Sequence, residues 1–341
     1  MKIFLFLTFI IFSTLNANEK KLDIEFFGTL GGVYNDNADY TFTRGAHSND
    51  GSSDDLNIYV DSILGLQTSY KFNDNLSLIA QGIVNKNDKG NVKTKLNSAY
   101  FKYDTDANLS FKLGRIKLPY YKNSDNNNIG FSKLMIREPI AVYGQMPLDT
   151  YNGIEFVYSN IISKYFYTIQ GNYGQEKFDV PIQTMDEVFE NELKDIKALN
   201  ITFGNDIIEA RASYLYGKIS SNNFCCDWLG ENHFTHGFYT TLGYRFGSLI
   251  PYISYEKVMM LKSTSVNTNN PGLDYLLEIQ NVAQSSKTLG FKYNINKNMD
   301  FKFEYQRIKP IGNHGGFNLE AKDPYTNSNS NIYSFVIDFV F

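Results

Sequence analysis

Charged side chains recur through this 341-residue chain between large hydrophobic neighbours. Lys102 in "YFKYD", Lys112 in "SFKLG", Glu155 in "GIEFV", Lys292 in "GFKYN" and the pair Lys302 and Glu304 in "DFKFEYQ" all follow this rule. Glu25, Asp61, Gln81, Glu209, Arg211, Arg245, Glu256 and Asp338 can be placed the same way. In an extended strand, residues two apart share a face, so these groups form one polar wall while their neighbours form an apolar one. Charges on such a wall are costly to hold away from water unless paired. The chemistry they suggest is that of a hydrated, mixed-charge surface, not of a reaction centre.

Residues that would carry catalysis or bind a metal are few. The four histidines, His47, His233, His236 and His314, all fall in expected loops. "HFTH" spaces His233 and His236 for a shared ligand, but no glutamate lies between them and the surrounding text is not helical, so loop histidines are the better reading. No Gly-x-Ser-x-Gly elbow occurs. Cys225 and Cys226 are adjacent, so a bond between them would close a small strained ring, and no third cysteine completes a site. We therefore expect neither an enzyme, nor a cofactor, nor a metal centre.

The elements that must position the polar wall are strands. Tyr (25) and Phe (27) supply nearly all the aromatic residues, against one Trp, and Asn, Gly and Ser are abundant, which favours strands and turns. Period-two segments occur at 22–30, 56–70, 75–84, 96–103, 108–115, 151–159, 164–172, 196–203, 207–217, 236–246, 249–257, 286–295, 299–308 and 331–341, fourteen in all. Short turns such as "KFNDN", "DTDAN", "FGND", "FGS" and "NINKN" alternate with long polar loops near 35–55, 85–95, 118–150, 173–195, 218–235, 258–285 and 310–330.

The first residues, "MKIFLFLTFIIFSTLNA", combine a basic start, an apolar core and a small residue before a cut, so 1–17 is expected to be an export signal and 18–341 a single domain. Losing Lys2 takes the formal net charge from −4 to −5, which gives no reason to expect nucleic acid. No second apolar run is long enough for a spanning helix.

An exported meander with short turns at one end and long loops at the other, and an even strand count, is what a transmembrane antiparallel up-and-down β-barrel requires. In hydrocarbon the sheet must close on itself, because an open edge leaves backbone groups unpaired. The chain ends on "NIYSFVIDFVF", whose Tyr333, Phe335, Ile337, Phe339 and Phe341 share one face, as a closing strand against outer-membrane lipid would.

Two stretches are similar to a known family. "LNSAYFKYDTDANLSFKLGRIKLPYY" (96–121) resembles the hairpin of Gram-negative porins that leads into a long loop, and "TYNGIEFVYS" (150–159) resembles the strand that resumes the wall after it. The resemblance implies a barrel with an inward-folded constriction loop, a terminal Phe341 read by the barrel-assembly machinery, and a possible homotrimer. The familiar trimeric type has sixteen strands, so 14 to 16 are expected, a further hairpin lying within 118–150 or 173–195.

On this reading the lumen is water-filled and passes small hydrophilic solutes and ions by passive diffusion. The loop 117–151 has an apolar second half, with Phe131, Leu134, Met135, Ile136, Ile140, Val142 and Met146, which suits a loop folded inward. Lys133, Arg137 and Glu138 on this loop, facing Arg115, Arg211 and Arg245 on the wall, are the candidates for a constriction. Lys102, Lys112, Glu155, Glu209, Lys292, Lys302 and Glu304 are candidates for the lumen wall. Basic and acidic groups nearly balance, so no ion preference follows. The alternatives are a plugged barrel acting as a surface adhesin or structural protein, with "QEKFDVPIQTMDEVFENELKD" as an acidic contact loop, and a barrel with an enzymatic rim.

Overall fold

The computed structural model describes residues 21–44, 51–86, 91–119, 126–140, 149–182, 187–204, 209–221, 233–262, 283–311, 318–322 and 328–341. The expected export signal, His47, His314, Cys225 and Cys226 lie outside them. So do the side chains of Glu209, Arg211, His233 and His236.

Fourteen strands follow one another around the wall: β1 (Leu22–Asn35), β5 (Ile63–Lys71), β6 (Leu76–Lys86), β7 (Val92–Asp104), β8 (Leu109–Lys117), β9 (Thr150–Ile162), β10 (Tyr165–Ile182), β11 (Glu187–Gly204), β12 (Glu209–Ser221), β13 (His233–Gly243), β14 (Leu249–Lys262), β15 (Ala283–Asn294), β16 (Met299–Pro310) and β18 (Ser330–Val340). Every neighbouring pair is antiparallel, and β1 pairs β18 from Phe27↔Val340 to Asn35↔Ile332. The two ends of this path, β12 and β13, are consecutive in the chain. Four short strands complete the fold: β2 (Tyr40–Thr43), β3 (Gly51–Ser52), β4 (Leu56–Asn57) and β17 (Leu319–Ala321).

Alternation along the strands sets inside and outside. In β18, Ile332, Ser334, Val336 and Asp338 are buried, while Tyr333, Phe335 and Ile337 are exposed. In β16, Asp300, Lys302, Glu304, Gln306 and Ile308 are buried within the barrel. A water-soluble sheet would hide its apolar face and show its polar one; this one does the reverse, as a wall immersed in lipid must. Rings cluster near the short-turn end, as in Phe26–Phe339 (5.7 Å) and Tyr165–Phe203 (5.3 Å), and again further up in Tyr305–Tyr333 (5.3 Å) and Tyr34–Tyr333 (6.4 Å).

The strand ends are sealed by local chemistry. Phe341 donates its N–H to the Phe26 carbonyl at 2.7 Å and accepts from the Phe26 N–H at 2.8 Å, so the last residue is zipped to the first strand. In the β5–β6 turn, the Asn73 carboxamide accepts the N–H groups of Asn75 and Leu76 at 3.0 and 2.8 Å. The β13–β14 hairpin turns at Gly247, whose φ of 60° suits a residue without a side chain.

Several sequence expectations change here. The segment 56–70 is not one strand: β4 and β5 both pair with β1, and residues 58–62 interrupt the ladder between them. The expected loop 173–195 is largely the outer end of the β10–β11 hairpin, paired from Glu176↔Leu193 to Ile182↔Glu187, so it adds length and no new strand. The described part of 118–150 holds one short 3-10 turn, Gly130–Ser132, and no hairpin. Finally, parts of the loops near 35–55 and 310–330 pair with each other as β17–β2–β3. That small sheet buries Tyr40, Phe42 and Leu319 against Val33, Val60, Ile308 and Ile332 of the wall.

Candidate functional site: a loop fastened inside the barrel

After β8 the chain turns into the barrel, and residues 126–140 lie against the inner face of β16, β18 and β1. The wall supplies ammonium groups that the loop's backbone accepts. Lys302 donates to the Gly130 carbonyl at 2.7 Å, and Lys292 to those of Phe131 and Lys133 at 2.5 and 3.2 Å. The wall also supplies carboxylates. Glu304 accepts the Ile136 N–H at 2.7 Å and the Tyr252 hydroxyl at 2.6 Å.

Arg137 is the loop's main side-chain anchor. Its Nε donates to Asp61 Oδ1 at 2.8 Å, its Nη2 to Asp61 Oδ2 and to Ser334 Oγ, the latter at 2.9 Å, and its guanidinium lies 4.8 Å from the Phe42 ring. Below the loop the charges alternate: Asp300 pairs with Lys292 at 2.8 Å, and Lys302 with Asp338 at 2.8 Å. Gly130 approaches so closely that a Cβ there would overlap the Asp338 carboxylate and the Thr29 hydroxyl. The loop's apolar residues meet β13, with Leu134 against Gly243 and Met135 beside the Thr241 hydroxyl.

Lys133 is turned back into the loop, donating to the carbonyls of Asn127 (3.3 Å) and Ile136 (3.2 Å). Burial, with Arg44 and Lys302 nearby, brings its ammonium down to about 8, against the pull of Glu138 and Asp338. Arg44 itself donates to the Asp61 carbonyl at 3.5 Å.

Across the lumen, β7 to β10 carry a second set of pairs. Lys112 meets Glu155 at 2.7 Å, Lys102 meets Asp104 at 2.8 Å, and Arg115 meets Glu176 at 2.8 Å while donating to Thr150. At the return of the loop, Asp149 bridges Lys117 (2.9 Å) and Lys95 (3.3 Å). Burial pushes Asp149 up, but Lys117 and Lys95 outweigh it and hold the carboxyl below the usual range. Towards the short-turn end a cavity of about 580 Å³ opens among Glu25, Gln67, Lys71, Tyr100, Lys102 and Lys112.

The sequence-derived constriction set is thus only partly brought together. Lys133 and Arg137 do lie inside the barrel, yet both are spent on fastening the loop, and neither meets Arg115 or Arg245. The reason is electrostatic: cations taken from water need carbonyl or carboxylate partners, which the loop's own backbone supplies to Lys133 and Asp61 supplies to Arg137. Arg115 is held within the wall, and Arg245 is exposed beside the Gly247 turn. Glu138 is half-buried on the loop. Of the wall candidates, Lys292, Lys302 and Glu304 lie beneath the loop, whereas Lys102, Lys112 and Glu155 are on the opposite side.

Asp300, Thr29, Tyr252 and Arg44 were not singled out from sequence. Asp300 shares the spacing of Lys302 and Glu304 and could have been; Arg44 sits in a polar loop with no signal.

Solved outer-membrane proteins have the same architecture. Outer-membrane expressed OmpT of Vibrio cholerae aligns over 96% of this chain and 99% of its own at 13% identity, with a TM-score of 0.52. The anion-selective porin from Comamonas acidovorans aligns over 94% of this chain and 99% of its own at 11% identity, with a TM-score of 0.51. This is a porin-like outer-membrane β-barrel fold. No family model matches the sequence, and comparison with curated proteins finds no match. At these identities the likeness is one of fold alone.

Proposed function

We propose that this barrel is an outer-membrane channel that lets small hydrophilic solutes and ions diffuse through a water-filled lumen narrowed by the loop 126–140. The observation that carries this reading is the contrast between the two faces of the wall. Outside are residues such as Leu30, Phe335 and Ile337; inside are ion pairs and a loop fixed to one side only. A loop bound to β16, β18 and β1 narrows a lumen whose far side, at Lys112 and Glu155, carries its own paired charges. Small solutes passing between these two charged surfaces would be sorted by size first and charge second.

Fixed pairs on both sides make a charged lining that favours a water-filled lumen. We expect outer-membrane insertion to depend on the assembly machinery's recognition of Phe341, and a homotrimer fits the architecture. Liposome swelling tests the reading: vesicles carrying the protein should swell in small sugars and lag progressively as sugar size rises. Vesicles that swell in no sugar would favour a plugged barrel whose outer loops do the binding.

A further inference from the structure

The outer face of β14, β15 and β16 carries four cations beside exposed apolar residues such as Ile253 and Leu289. Lys287, Arg307 and Lys309 are exposed and Lys257 is half-buried. Their chain neighbours Ser286, Thr288, Gln306 and Ile308 are buried on the inner face, so the four point away from the lumen.

The register brings them together. Lys287 stands directly opposite Arg307, and Ser285 separates Lys309 on one side from Lys257 on the other. Opposed residues lie about 5 Å apart at Cβ, and like charges there repel. None of the four side chains has an ion pair or hydrogen bond with another described residue. Elsewhere Lys86 lies 4.7 Å from the Tyr59 ring and Lys197 5.6 Å from that of Tyr173. Asp36, reached from Arg307 through Asn331, has both carboxylate oxygens occupied by Asn331 at 2.8 and 2.7 Å.

Their height on the barrel says what could answer this charge. Lys257, Arg307 and Lys309 lie on the long-loop side of Tyr255 and Tyr305, and Lys287 stands directly opposite Tyr255, so the patch begins at rings of the kind that mark the boundary between acyl chains and headgroups. The long-loop end of such a barrel faces the exterior. Lipid headgroups of the outer leaflet therefore meet this patch, and a phosphate oxygen pair fits a guanidinium such as Arg307.

We propose that Lys257, Lys287, Arg307 and Lys309 form a docking surface for a phosphorylated anionic lipid of the outer leaflet. The proposal rests on the outer-membrane reading but not on conduction, so a barrel that passes no current could still bind the lipid. Diphosphorylated lipid A and its dephosphorylated form, with the same acyl chains, are offered to the folded barrel in neutral detergent, and retained lipid is counted by native mass spectrometry.

The wild-type protein should retain the phosphorylated form preferentially. Combining Lys287→Gln, Arg307→Gln and Lys309→Gln should weaken retention by on the order of fivefold per cation removed, while Arg307→Lys, which keeps the charge, should retain most of it. Heat-modifiable gel mobility of each variant confirms that the barrel has folded. Equal retention of the two lipids by the wild type, or unchanged retention by the triple variant, would overturn the proposal. So would loss of self-association in the triple variant with lipid retention intact, which would assign the patch to a second copy of the chain.

Discussion

Arg137 and Asp61 form a two-point pair between the inward loop and the segment entering β5, 76 residues earlier in the chain. Asp61 is 3% exposed, and the guanidinium is further fixed by Ser334 and the Phe42 ring. The loop's position is therefore set by a buried charge pair and not by apolar contact alone.

Removing one partner of such a pair strands the other. Arg137→Ala should destabilise the folded barrel by about 3 to 5 kcal/mol, release the loop and raise single-channel conductance. Urea unfolding in micelles and bilayer recording check the two effects. Unchanged conductance and ion preference would remove Arg137 from any account of the constriction.

Gly130 makes a steric prediction. Gly130→Ala places a methyl group against Asp338 and Thr29, so either the loop or the wall must move. The expected cost is about 1 to 3 kcal/mol, with a wider or noisier channel. Ser132→Ala, at an exposed position two residues on, should leave conductance unchanged.

Lys133 gives the loop a pH dependence. Its folded value of about 8 lies below the ordinary value of about 10.4 for an unfolded lysine. Between the two, the unfolded chain holds a proton that the folded loop has released, so stability should rise with pH across that window. Below about 8 both states are protonated and this dependence vanishes. Unfolding midpoints at pH 7, 9 and 10 would show the rise, and Lys133→Met should flatten it. Reversal potentials should move towards cation preference over the same window as the positive charge is lost.

Phe341 tests the closing seam. Deleting it removes two backbone hydrogen bonds to Phe26 and the ring contact with Phe339 at 5.9 Å. A net loss of about 1 kcal/mol per hydrogen bond is expected in vitro. Outer-membrane yield should fall further than that cost explains if the terminal residue is also an assembly signal; equal losses in both assays would confine its role to the seam.

The wall was legible in the sequence because alternation is local. Fourteen period-two segments were read and fourteen wall strands are found among the described residues, since each strand writes its inside and outside into adjacent residues. What alternation cannot show is where it slips. In β7, Gln81↔Ser98 is followed by Gly82↔Leu96, so Asn97 is an extra residue. This bulge puts Leu96 outside although it shares the spacing of Lys102, which faces in.

Partners distant in sequence were equally invisible. The apolar second half of the loop foretold that it would fold inward, but not that Arg137 would choose Asp61 or that Lys292 and Lys302 would cap its carbonyls. Those choices depend on which strands the barrel brings beneath the loop. Likewise β10 and β11 read as a polar loop beyond residue 172 because, outside the membrane, neither face of a hairpin need be apolar.

The central claim is that the lumen conducts past the fixed loop, and planar-bilayer recording of the purified full barrel tests it most directly. Discrete, salt-dependent current steps are expected for the wild type and larger steps for Arg137→Ala. A correctly folded, heat-modifiable barrel that inserts without any current step, in the wild type and in that variant alike, would contradict it.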